Sequence, residues 1–76
     1  MVNKEGGNMS VAKISEIKAS SSVSFDEAVK EGLARANKTL KNMKSAWVKD
    51  FEVRLDDQGN ISEYRVLMRI TFVLQD

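Results

Sequence analysis

The stretch "ISEYRVLMRITFVLQ", Ile61 to Gln75, constrains the fold of this chain more than any other. Tyr64, Val66, Met68, Ile70, Phe72 and Leu74 are all apolar, and Glu63, Arg65, Leu67, Arg69, Thr71 and Val73 alternate with them. Successive side chains on a strand point to opposite sides, so this period of two predicts a long β-strand with one face on a core. The segment before it reads the same way. Strict alternation puts Trp47, Lys49, Phe51, Val53 and Leu55 on one face, and Ala46, Val48, Asp50, Glu52 and Arg54 on the other. Between the two segments, "DDQGN" (Asp56 to Asn60) is a hairpin turn signal in which Gly59 can take a positive φ.

Two such strands in a 76-residue chain leave room for little else. Ser24 followed by Glu27 fits a capping box at a helix start, and Val23 with Ala28 fits a hydrophobic staple. Phe25, Ala28, Val29, Leu33, Ala36, Leu40 and Met43 then form one apolar stripe of helical period. Asp26 and Glu27 come first and Arg35 and Lys38 last, the order that the helix dipole favours. Upstream, "VAKISEIKA" (Val11 to Ala19) carries β-branched residues at Val11, Ile14 and Ile17 and reads as a first strand. "SSSVS" reads as a polar loop, and "MVNKEGGNMS" as a flexible extension within which Met9 offers an alternative start. The expected organisation is an extension over residues 1–10 and one domain over 11–76. The order β-α-β-β implies an α+β fold, a three-stranded antiparallel sheet partly wrapped around one helix.

One helix covers one face of such a sheet. Leu67, Val73 and part of the Trp47 row are left open, and long strands leave unpaired edges that proteins usually protect. Chains this short typically retain only about 3–5 kcal/mol unless disulfides, a metal or oligomerisation help. There are no cysteines, which excludes disulfides and thiolate metal sites, and no histidine, which removes the commonest general base and metal ligand. Self-association is the support that remains, so a homo-oligomer is expected. Twelve basic against eleven acidic residues argue against a polyanion binder, so nucleic acid is not an expected partner. No apolar run is long enough for a membrane span, and no signal peptide is evident. A cytoplasmic protein is expected, with no membrane partner.

"SFDEAVKEGLARANKTLKNMK", then an alternating strand, a short Gly turn, "EYRV" and the terminal "ITFVL" resemble the dodecins. The resemblance spans Val11 to Leu74, and its most specific parts are Ser24-Phe25, "RANKTLKN" from Arg35 to Asn42, and the F-V-L ending. It implies a hollow homododecamer that binds flavin. In flavin-binding dodecins a tryptophan opening the second strand stacks on the isoalloxazine, and symmetry-related copies sandwich two flavins. A glutamine following a tyrosine on the third strand hydrogen-bonds the pyrimidine edge. Here the tryptophan position is Ser45, with Trp47 two residues later, and the glutamine position is Arg65. A two-residue shift keeps a side chain on the same strand face, about 6.6 Å away. Arg65 donates hydrogen bonds but cannot accept them.

The candidate cofactor site is therefore Ser45, Trp47, Lys49, Arg65, Leu67 and Arg69. Trp47 reads as a stacking platform or as a packed residue at a subunit contact. Arg65 and Arg69 read as phosphate ligands, or as partners of Asp50, Glu52 or Glu63 in ion pairs. The expected function is flavin storage and buffering, with FMN, riboflavin or FAD as ligand. The alternative is a dodecin-like shell without flavin specificity that binds a nucleotide-like cofactor such as coenzyme A, or calcium. Asp50 and Glu52 alone are a thin basis for a metal site. With no His, no Cys and no visible nucleophile–base pair, no catalytic residues are expected.

Overall fold

Four elements follow one another, β1 (Ala12–Ser21), α1 (Phe25–Ala36), β2 (Met43–Leu55) and β3 (Ile61–Val73), in a computed structural model that describes residues 11–74. The expected extension over residues 1–10, Met9 included, lies outside that span. The sheet order is β1-β3-β2, and both flanking strands run antiparallel to β3. The fold is the expected α+β arrangement, β-α-β-β with a three-stranded antiparallel open sheet.

The most regularly alternating strand takes the centre. Val66, Met68 and Ile70, from the apolar row of β3, are buried under α1 with Ala28 and Ala36. Ile17, Ala19, Phe25, Val29, Leu33 and Val48 pack around them. The helix lies over β1 and β3, and Gly32 makes the closest approach. A methyl group there would meet the Ala19 Cβ at 2.8 Å and the Met68 Cε at 2.9 Å.

Several local expectations need correction. The helix ends at Ala36, so Leu40 and Met43 do not lie on it. After Ala36 the backbone closes turns, with the Thr39 and Leu40 N–H groups donating to the Ala36 carbonyl at 3.1 and 2.8 Å. Asn42 then takes a left-handed φ of 61°, which Asn tolerates better than most residues, and this ends any helical continuation. Only half of the capping box forms. The Ser24 hydroxyl accepts from the Glu27 N–H at 3.0 Å, while the Ser24 N–H donates to the Ser21 hydroxyl at 3.4 Å. Val23 remains 69% exposed, so it does not staple onto the buried Ala28. Strand β1 runs through Ser20 and Ser21, which the sequence had suggested were loop, because Arg65 and Tyr64 of β3 pair with them.

The largest correction concerns β2. Its register against β3 shifts between Val48 and Asp50, so Val48 opposes Met68, Asp50 opposes Leu67, and Lys49 is the extra residue of a β-bulge. Strict alternation had put Trp47 and Phe51 on one face. The bulge inverts the phase. Phe51, opposite Val66, turns to the helix side, whereas Trp47, opposite Arg69, stays on the other side. The Phe51 ring meets Phe25 edge-on at 5.0 Å, and Phe25 meets Tyr64 at 5.2 Å. The hairpin turn is as expected, with Gly59 at φ +84°. The Asp56 carboxylate accepts from the Gln58 and Asn60 N–H groups, each at 2.9 Å.

Candidate functional site

Directly opposed residues in an antiparallel pair share a sheet face. The registers therefore lay out the face away from the helix as short rows across the strands. Ile14, Thr71 and Ser45 form one row. Glu16, Arg69 and Trp47 form the next, then Lys18, Leu67 and Asp50, then Ser20, Arg65 and Glu52. Ser45, Trp47, Arg65, Leu67 and Arg69 thus lie together on the open face. Ser45 and Trp47 share it because Ala46, between them, opposes the buried Ile70. Lys49 sits in the bulge, and its Nζ lies 4.4 Å from the centre of the Trp47 ring. The indole is 64% exposed.

The arginines are held by carboxylates. The Arg65 Nε donates to the Glu63 Oε1 at 2.9 Å, and the Arg69 Nε donates to the Glu16 Oε2 at 3.2 Å. Each guanidinium has five N–H donors, so donors remain for a ligand. A groove of about 260 Å³ lies beside Arg65, lined by Lys18, Asp50, Glu52 and Leu67 as well. Its cations come from β1 and β3 and its acids from β2.

Sequence reasoning missed Glu16 and Lys18. The period-two pattern of β1 shows that they share a face, but nothing in it shows that β1 pairs with β3 and sets Glu16 beside Arg69. The bulge was missed because a bulge is a local departure from the alternation used to find the strand.

Chemically, the face offers an aromatic plane, cationic donors and carboxylates in water. Among the described residues no polar or charged side chain is buried, so a desolvated acid–base pair is not built here. Also among the described residues, no three carboxylates converge as metal ligands, and no helix is long and apolar enough to cross a membrane.

Comparison with known proteins places this geometry. Residues 11–75 match the sequence model of the family described as Dodecin. The dodecin of Streptomyces davaonensis superposes with a TM-score of 0.85 at 28% identity, covering 91% of this chain and 100% of that one. A single-residue variant of the T. thermophilus dodecin gives 0.83 at 29%, covering 90% and 100%. A calcium-chelating antigen of Mycobacterium tuberculosis, described as a calcium dodecin with a novel calcium-binding site, gives 0.75 at 26%, covering 86% and 91%. No curated protein matches the chain. The half-covered three-stranded sheet, the element order and a family match over nearly the whole described span lead to one conclusion: this chain belongs to the dodecin family.

Proposed function

We propose that the chain is a flavin storage and buffering protein of the cytoplasm, a homododecamer in which flavin stacks on Trp47 where symmetry-related copies meet. The observation that carries this reading is Trp47 itself, 64% exposed on a sheet face that the helix leaves bare. An indole so displayed binds planar rings by dispersion and quadrupole attraction, about 1–3 kcal/mol per stacked base in nucleic-acid systems. Ser45 stands beside it in the next row, and the remaining N–H donors of Arg65 and Arg69 suit flavin carbonyls or a phosphate. The residues fit the ring and an anionic tail. They do not reproduce the donor–acceptor pattern of an amide at the ring's pyrimidine edge. An electron-rich indole against the ring quenches its excited state, which suits protection rather than catalysis.

Assembly is supported by apolar surface on both sides of the sheet. Phe51 on the helix side, Ile14 on the open side and Leu55 beside the hairpin are all exposed. Calcium has less support, because Asp50 and Glu52 would need carboxylates from other copies to complete a shell of 6–8 oxygens. Coenzyme A would use the same arginines without the indole.

The test is titration of the full-length chain into riboflavin, FMN and FAD. Flavin fluorescence should fall on binding and recover in Trp47→Ala. Unquenched flavin with the intact, assembled protein would overturn the reading, and a thermal shift with coenzyme A or calcium alone would replace it.

A further inference from the structure

Building on the reading of Trp47 as a stacking platform, we propose that Lys49 selects the ligands this ring accepts. It favours aromatic molecules that carry an anionic group over neutral molecules with the same ring. Two observations carry this. Lys49 is a bulged residue of β2, without a cross-strand partner because Val48 and Asp50 take consecutive partners on β3. A bulge re-aims the side chain it carries. Here the Lys49 ammonium stands over the Trp47 ring at 4.4 Å, a cation–π contact. Among the described residues the ion pairs engage Arg35, Arg65 and Arg69, and no carboxylate neutralises Lys49.

The indole therefore already has a ligand on one face. A planar molecule arriving on that face displaces the ammonium, and one arriving on the other face stacks with the cation just across the ring. In both cases a unit positive charge lies within a few ångströms of the newcomer's edge. A neutral ligand that displaces the ammonium loses the cation–π contact and gains nothing electrostatic in return. An anionic ligand replaces that contact with an ion pair. Arg69, directly across from Trp47, adds a second cation, but Glu16 offsets its charge. Lys49 is thus the residue that separates the two ligand classes. One unit-charge contact near about 4 Å in a water-like dielectric corresponds to roughly fivefold in affinity.

FMN and riboflavin share a ring and differ by one phosphate, which makes them the probe pair. At low salt the wild-type chain should bind FMN about fivefold more tightly than riboflavin. Lys49→Gln should lower that ratio, leaving only what the spare donors of Arg65 and Arg69 contribute, and Lys49→Arg should keep it. A FMN-to-riboflavin ratio that is the same in wild type and Lys49→Gln, while both still quench, would overturn the proposal.

Failure of the flavin reading is a separate outcome, in which the wild type quenches neither compound. Lys49 is then judged by collisional quenching of the single tryptophan, whose emission reports on Trp47 alone. Iodide should quench it more efficiently than caesium, and Lys49→Gln should reduce that preference. An iodide-to-caesium ratio unchanged by the substitution would overturn the proposal without any flavin.

Discussion

Gly32→Ala tests how closely the helix is seated on the sheet, the contact from which the whole one-sided core is built. The added methyl would lie 2.8 Å from the Ala19 Cβ and 2.9 Å from the Met68 Cε. The Met68 Cε is the end of a flexible side chain, though Met68 is fully buried. The Ala19 Cβ is fixed to the β1 backbone, so α1 itself has to lift. Two effects compete. Alanine in place of glycine inside a helix stabilises by about 0.5–1 kcal/mol. Overpacking a filled core costs about 1–3 kcal/mol. With the nearest obstacle a Cβ bonded directly to the β1 backbone, overpacking wins, and the net loss should be about 0.5–2 kcal/mol. In urea, where small proteins show slopes of about 1–3 kcal/mol per molar, the midpoint should fall by roughly 0.2–2 M. Protein concentration has to be held fixed, since self-association raises apparent stability. Adding Ala19→Gly removes the nearest atom and should return part of the loss, a coupling measured by the double-mutant cycle. A Gly32→Ala variant more stable than wild type would refute the reasoning, because propensity alone would then govern the site.

Two smaller perturbations follow from the same structure. Ser24→Ala deletes the hydroxyl that accepts from the Glu27 N–H at 3.0 Å, and should lower stability by about 1 kcal/mol in urea unfolding. Asn42 sits at φ 61°, so Asn42→Ala should cost about 1–2 kcal/mol whereas Asn42→Gly should be close to neutral by the same measure. Equal effects of the two would remove the backbone argument.

Much of the fold was legible because the alternation of β3 runs unbroken from Glu63 to Val73, its one register shift, at Ser62, lying beside the hairpin. Val66, Met68 and Ile70 of its apolar row are buried under the helix, and the turn at Asp56 to Asn60 has the side chain and the glycine that a hairpin needs. The helix start was legible at Ser24 for a similar reason, since a cap is a local device. Its end was not. Leu40 and Met43 continue the helical period by coincidence, and the left-handed Asn42, anchored to β3 by the Val73 N–H bond to its carbonyl at 3.1 Å, decides the boundary. The face carrying Trp47 was half legible. Ser45, Trp47, Arg65, Leu67 and Arg69 follow from counting along strands. The contact between Lys49 and the indole depends on a bulge, and the pairing of Arg69 with Glu16 depends on which strands become neighbours. Both are tertiary facts that no periodicity encodes.

The central claim is that a single helix leaves this sheet too exposed for the chain to stand alone. Light scattering on the eluting peak of a size-exclusion column, at micromolar concentration, measures the consequence directly. The account predicts a mass near about 100 kDa, twelve copies of an 8.5 kDa chain. A folded species of 8.5 kDa would contradict it.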